Sequence, residues 1–102
     1  MLLRPDAPAY PSRLHECSDP PCALWARGDL SLCDKPCVAI VGTRRATAYG
    51  ERVARELARV LALAGATIVS GLARGIDAAA HRGALDVDGA TCAVLGTGLD
   101  VA

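Results

Sequence analysis

Three short runs rich in apolar residues occur in the second part of the chain, at residues 38–41, 66–70 and 91–95. Continuous apolar runs of this length are typical of strands that are buried on both faces of a parallel sheet. A glycine follows each run and opens a polar or glycine-rich segment. The pattern therefore predicts three strands whose carboxyl ends lead into glycine-bearing loops.

Helical periodicity fills the two segments between these runs. In the first segment Thr47 is placed to cap the helix start, and Gly65 is placed to end it in a left-handed conformation. Its apolar residues recur at helical spacing, and charged residues take the other face. The apolar set is Val53, Leu57, Val60, Leu61 and Ala64, and the charged set is Arg52, Arg55, Glu56 and Arg59. A second helix is predicted over residues 76–85.

Two helical crossovers between apolar strands predict an α/β fold, a doubly wound parallel sheet of the Rossmann-like kind. Three strands are fewer than such a sheet normally has, so residues 38–102 are expected to be the first half of the domain, in a truncated product or fragment. Residues 1–37 are rich in proline and cysteine and form a lead-in region. One short strand is predicted there around residues 24–27, with Trp25 as a core anchor.

The neutral net charge of the chain conceals a basic centre. From residue 38 to residue 85, seven arginines face three acidic residues, so this segment carries +4 and the remainder carries −4. The longest strongly apolar run, residues 60–64, is too short to cross a membrane. Five cysteines are an odd number, and no secretion signal opens the chain. These features predict a cytoplasmic protein without a membrane partner and favour binding to a polyanion.

The glycine loops are expected to meet, because ligands of open α/β sheets bind at the carboxyl ends of the strands. The converging glycines are Gly42, Gly71, Gly75, Gly96 and Gly98. Glycine lets backbone N–H groups approach an anion, and a following helix directs the positive end of its dipole to the same place. Phosphate is the ligand that this arrangement predicts.

The loop after the first strand has neither the dinucleotide fingerprint nor the lysine of a P-loop. It offers arginine instead. Arg44 can bind phosphate oxygens in a bidentate manner, with a smaller part for Arg45, and Thr43 and Thr47 can add hydroxyl hydrogen bonds. Tyr49 is either a platform on which a base stacks or an aromatic residue packed at the helix start. The combination favours a nucleotide chain over a free dinucleotide.

Residues 38–50, followed by residues 70–77 and His81, resemble the DprA/Smf DNA-processing family. Tyr10-Pro11, residues 20–29 and residues 96–100 also occur in the order found in that family. The resemblance covers about residues 10–102.

The resemblance implies binding and protection of single-stranded DNA during natural transformation and loading of the RecA recombinase, with no catalysis, cofactor or metal. The resemblance also implies a homodimer for the complete family member. By position, Arg44 is similar to the phosphate-contacting arginine of the family's Gly-Ser-Arg loop, with Thr43 in place of the serine. The neighbouring wall of the site would be formed by Ser70, Gly71, Arg74 and Gly75.

Two other functions have less support from the sequence than DNA binding. A nucleoside monophosphate phosphoribohydrolase on a related fold would need a Pro-Gly-Gly-x-Gly-Thr-x-x-Glu motif, which is absent, and only Asp77 or Asp100 could supply its acid. A dinucleotide-binding fragment is disfavoured by the missing fingerprint, and Ser70 stands where the ribose-binding acid is expected.

Three further groups of residues have ordinary structural interpretations. Asp77 and His81 could form an acid–base or metal pair, but Asp77 is expected to cap a helix and His81 to pack or hydrogen-bond nearby. The arginines Arg55 and Arg59 are expected to pair with Glu51 and Glu56 on a solvated face. The pairs Cys17/Cys22 and Cys33/Cys37 resemble zinc ligands only loosely, so structural thiols are favoured.

Overall fold

The computed structural model describes residues 1–96 of the chain. Its strands are β1 (Leu2–Leu3), β2 (Leu24–Trp25), β3 (Cys37–Ala39), β4 (Thr67–Ser70) and β5 (Thr91–Ala93). Its α-helices are α1 (Ala48–Leu63) and α2 (Ile76–Leu85), and two short 3-10 helices span Ser12–Glu16 and Leu30–Asp34.

The main sheet has the order β3-β4-β5, and both of its pairings are parallel. Val38 lies opposite Ile68, which in turn lies opposite Thr91. Each connection between these strands runs through one helix, and α1 and α2 pack against each other. The α/β class with a parallel, incomplete sheet is confirmed. Within residues 1–96 the α-helices belong to one layer.

The core beneath the helices is built mainly from alanine. Ala54 and Ala58 of α1 meet Ala80 and Ala84 of α2, and Ile68 of β4 is fully buried beneath them. Small side chains let the two helix backbones approach closely, and Gly83 lies at this crossing. The absence of phenylalanine from the chain is consistent with a core of this kind.

The predicted inward face of α1 is wrong for most of its residues. Val53, Leu57 and Val60 are 46%, 49% and 50% exposed, whereas Ala54 and Ala58 are buried. Periodicity of the large aliphatic residues suggested the first set. The partner surface is another helix rather than the sheet alone, so the closely packed face of α1 takes the smallest side chains.

The predicted limits of both helices agree well with the structure. The Thr47 side chain accepts a hydrogen bond from the backbone N–H of Gly50 at 3.0 Å, which caps α1. Gly65 follows the helix with φ of 96°, in the left-handed region. The second helix spans the predicted residues 76–85.

The lead-in region packs onto the sheet through backbone carbonyls. The hydroxyl of Thr67, fully buried in β4, donates to the carbonyl of Leu32 at 2.7 Å. Strand β2 lies within the predicted segment and pairs antiparallel with β1. Trp25 is 68% exposed, so its prediction as a core anchor is wrong. Tyr10 has that place instead, since it is buried and its hydroxyl donates to the carbonyl of Pro21 at 2.7 Å.

The surface pair predicted between Arg59 and Glu56 is confirmed, whereas Arg55 pairs with a residue other than the predicted Glu51. Arg55 donates to both carboxylate oxygens of Asp86, at 2.6 and 2.7 Å, and so joins α1 to the end of α2. Arg59 pairs with Glu56 three residues earlier. Sequence spacing suggested pairs within one helix, but Asp86 reaches Arg55 only because the helices pack side by side.

The Arg55–Asp86 pair predicts a pH dependence of stability. Hydrogen bonds from Arg55 lower the pKa of the Asp86 carboxyl below its usual value. A carboxyl of this kind stabilises the fold above its unfolded pKa, and the contribution is lost as the pH falls through the folded pKa. We expect Asp86→Asn to reduce the drop in thermal midpoint between about pH 7 and about pH 3. Asp88→Asn is the control, and equal drops in D86N and wild type would contradict the prediction.

Candidate nucleic-acid interface

The loops after β3 and β4 lie against each other at the carboxyl edge of the sheet. The backbone N–H of Ile76 donates to the carbonyl of Thr43 at 3.3 Å, which joins residues 71–75 to residues 42–47. Gly96 follows β5 and is exposed, whereas Gly98 lies outside the described residues. The structure therefore brings together the first two of the three predicted loops.

Gly75 makes the close contact between these loops possible. Its φ of 82° and ψ of −126° belong to a region that side-chain-bearing residues rarely adopt. A Cβ at this position would lie 3.0 Å from the carbonyl oxygen of Arg44 and would overlap the carbonyl of Thr43. Gly75 thus sets the position of the backbone that carries Arg44.

The two threonines of the first loop shape its backbone. The Thr43 hydroxyl oxygen accepts from the N–H of Arg45 at 3.0 Å, in a local turn, and Thr47 caps α1. In both residues the oxygen acts as an acceptor for backbone, so the hydroxyl hydrogen can still be donated to a phosphate oxygen. Their conformational role and the predicted ligand contact are compatible.

Three arginines project from this edge without an acidic partner. Within residues 1–96, Arg44, Arg45 and Arg74 form no salt bridge and are exposed. Tyr49 is 69% exposed, which is inconsistent with a packed aromatic at the helix start and leaves its ring open to solvent. The edge therefore concentrates positive charge beside an accessible aromatic ring.

Gly42 and Gly71 make room for protein groups in this structure. A Cβ on Gly42 would lie 2.7 Å from Ile76, and one on Gly71 would lie 2.8 Å from the Asp77 carboxylate. The N–H of Gly42 donates to that carboxylate at 3.4 Å and so points into the protein. The close packing of α2 beneath both loops is one explanation for glycine at these two positions, and the predicted approach of an anion is another.

Asp77 does not cap α2, contrary to the prediction. The capping position belongs to Gly75, which has no side chain to accept a hydrogen bond. Asp77 lies two residues further on, is buried, and bonds to Gly42 instead. Its spacing from the helix start suggested a local cap, whereas the partner is 35 residues away in sequence.

His81 and Ser70 form hydrogen bonds beneath the loops. The His81 ring lies 2.6 Å from the carbonyl of Gly71 and 2.6 Å from the hydroxyl of Thr91, so its prediction as a nearby hydrogen-bonding residue is confirmed. The buried Ser70 hydroxyl donates to the carbonyl of Ile40 at 2.6 Å, within the sheet. Ser70 therefore presents its side chain to the interior rather than to the loop surface.

The cysteines are free thiols, and no group of three or more His, Cys, Asp or Glu suited to a metal occurs in residues 1–96. Burial raises the pKa of the Cys33 thiol to about 11, with a further contribution from the neighbouring Cys92. At neutral pH this thiol is therefore protonated. Nor does any described helix have the length and apolar character needed to cross a membrane.

A parallel sheet with crossover helices and glycine-bearing loops at its carboxyl edge defines a protein of the Rossmann-like α/β class. The chain matches the family described as DNA recombination-mediator protein A over residues 1–102. Because this match spans its full length, the chain belongs to the DprA/Smf family.

Individual relatives agree with this assignment. Protein Smf of Synechocystis sp. is 50% identical over 104 residues, covering 98% of this chain and 26% of the relative. The structure of DNA processing protein A from Streptococcus pneumoniae superposes with a TM-score of 0.90 at 42% identity, covering 99% of this chain and 35% of that one. The chain thus spans about a quarter to a third of the length of these relatives.

A second solved structure also matches the chain. DNA processing protein A from Helicobacter pylori, reported for its single-stranded DNA binding mode, gives a TM-score of 0.69 at 47% identity. The match covers 74% of this chain and 36% of that protein.

Proposed function

We propose that the protein binds single-stranded DNA, and that residues 42–47 and 71–75 hold its phosphates. The observation that carries the proposal is the group of three exposed arginines without acidic partners, Arg44, Arg45 and Arg74, at the edge where the loops meet. The reported binding of single-stranded DNA by the Helicobacter pylori protein supports the same ligand.

The chemistry of the edge suits a single strand. Guanidinium groups bind phosphate oxygens through paired N–H donors, and the exposed ring of Tyr49 can stack on a base irrespective of its identity. Thr43 and Thr47 each retain a hydroxyl hydrogen that can be donated to a phosphate oxygen of the same DNA strand. These contacts recognise a sugar-phosphate chain without reading its sequence.

An enzymatic role has less support from the described residues. Asp77, the acid that a phosphoribohydrolase would need, is buried and accepts a hydrogen bond from Gly42. Asp100 lies outside the described residues. We therefore propose a binding protein without catalysis and without a cofactor.

The wider role proposed for the complete protein follows from its family. It would act in the cytoplasm as a homodimer that protects incoming DNA during natural transformation and loads RecA onto it. Loading is measurable as the rate at which RecA filaments form on single strands that the protein has already coated.

The Arg44 contact predicts a defined loss of affinity. Arg44→Ala removes one bidentate phosphate contact, so we expect affinity for oligothymidylate to fall by about tenfold. The slope of log affinity against log salt concentration should become shallower by about 0.7, the value for one phosphate of a single strand. Fluorescence anisotropy at several salt concentrations measures both.

Arg82→Ala is the matched control, because Arg82 is an exposed arginine near the other end of α2. It should bind nearly as the wild type does. Unchanged affinity in R44A, or equal losses in both variants, would contradict the assignment of Arg44.

A further inference from the structure

His81 lies outside the two loops of the proposed site, but its ring contacts the backbone of the loop after β4 from below. It belongs to α2, and its ring nitrogens reach two other elements. Nε2 lies 2.6 Å from the carbonyl oxygen of Gly71, the first residue after β4. Nδ1 lies 2.6 Å from the hydroxyl oxygen of Thr91 in β5. The half-buried ring therefore joins α2 to the loop after β4 and to β5.

The chemistry of the Gly71 contact assigns the hydrogen on the ring. A backbone carbonyl can only accept a hydrogen bond, so Nε2 must donate one. The bond is short and is made to a group at the start of the loop, where no strand pairing holds the backbone. The Thr91 hydroxyl oxygen lies within hydrogen-bond distance of both Nδ1 and the carbonyl oxygen of Ile68, at 2.6 and 3.0 Å, and its single hydrogen can be donated to either, so the imidazole is kept against the sheet.

Holding the Gly71 carbonyl also sets the direction of the next amide. A trans peptide is planar, and its C=O and N–H groups point in opposite directions. With the Gly71 oxygen directed to His81, the N–H of Leu72 points away from that ring. Within residues 1–96 this N–H donates to no protein oxygen, and Leu72 is exposed. It is an available donor in a loop that the proposed function assigns to phosphate.

We propose that His81 is a positioning residue for DNA: it holds the Gly71–Leu72 peptide in the orientation that offers the Leu72 N–H to a phosphate. Asp77, one helical turn earlier, holds the Gly42 N–H in the same manner. Two side chains of α2 thus set the backbone of both loops from one rigid element. The inference rests on the proposed function, because it names the group that orients the site.

Two amide variants separate the Gly71 contact from general packing. The amide nitrogen of glutamine occupies nearly the place of Nε2, whereas the shorter asparagine mimics only the Nδ1 side. We expect His81→Asn to weaken oligothymidylate binding by about threefold to tenfold, the effect of one lost hydrogen bond and a turned peptide. His81→Gln should restore most of the affinity. Thr91→Val, which keeps the Gly71 contact, should bind nearly as the wild type does.

Fluorescence anisotropy gives the affinities, and the ¹⁵N–¹H shift of Leu72 in the free protein reports the orientation of the peptide. We expect this shift to move in H81N and to return towards the wild-type value in H81Q. Wild-type affinity in H81N, or equal weakening in H81N and H81Q, would overturn the proposal. Absence of binding by the wild type would instead reject the proposed function, and the inference with it. Should H81N fail to fold, weak binding by a folded H81Q is the overturning result.

Discussion

Replacing Gly83 with alanine is expected to lower the free energy of unfolding by about 2–3 kcal/mol, the cost of overpacking a closely packed core. Helix propensity alone predicts the opposite sign, since alanine is about 1 kcal/mol better than glycine inside a helix. The added Cβ would overlap the carbonyl of Arg55 and lie 2.8 Å from the Cβ of Ala58. The obstacle is partly helix backbone, which cannot turn aside as a flexible side chain can.

Gly50→Ala provides the matched control for this prediction. Gly50 lies in α1, and a Cβ there would be 3.3 Å from the Thr47 hydroxyl and 3.7 Å from Ile76. That variant should be neutral or slightly stabilised. For a chain of this size, G83A should lower the thermal midpoint by about 10–20 °C. A midpoint at or above that of the wild type would show that the helices are further apart than described.

Gly75→Ala is expected to weaken binding of single-stranded DNA by about a hundredfold, more than the loss of any one arginine. The substitution strains the backbone at φ of 82° and drives a Cβ into the Thr43–Arg44 peptide. Relief requires the two loops to separate, which displaces Arg44 and the Leu72 N–H together. Losing two charge-assisted contacts at once corresponds to a decrease of this size.

Gly65→Ala controls for strain without loop displacement. Gly65 also has a positive φ, of 96°, but a Cβ there meets nothing within 4 Å, and the residue lies at the other end of α1. This variant should lose some stability and keep its affinity. Thermal midpoints and oligothymidylate affinities of both variants decide the point. Similar affinities in G75A and wild type would show that loop contact is not required for binding.

Much of the fold could be predicted because its signals are local. Each signal determines the structure of residues close to it in sequence. Examples are the apolar run before Gly42, the capping Thr47 and the terminating Gly65. The ends of β3 and β5 were predicted two residues too far along the chain, whereas the end of β4 was predicted correctly. The ladder continues slightly past β3, since the N–H of Ile40 still donates to the carbonyl of Val69 at 3.0 Å.

The errors have a common physical origin in contacts between distant segments. Ala58 is buried because α2 brings Gly83 against it, and Arg55 finds Asp86 for the same reason. In the lead-in region Tyr10 is the buried aromatic residue and Trp25 is exposed. None of these pairings is encoded by periodicity within one element.

The candidate site, like the fold, could be predicted only in part from the sequence. The convergence of Gly42, Gly71 and Gly75 could be predicted from the rule that ligands bind at strand carboxyl ends. The support from Asp77 and His81 could not, since their spacing of four residues equally suits a metal pair. Only the packing of α2 beneath the loops distinguishes these interpretations.

A titration of ¹⁵N-labelled protein with oligothymidylate, followed by heteronuclear NMR, tests the location of the DNA site most directly. The account predicts that shift changes concentrate at the amides of residues 43–47 and 71–75, with Leu72 among the largest. The amide of Gly65, at the opposite end of α1, should remain unchanged. Changes that cluster in the lead-in region or along the outer face of α1, with residues 43–47 unaffected, would contradict it.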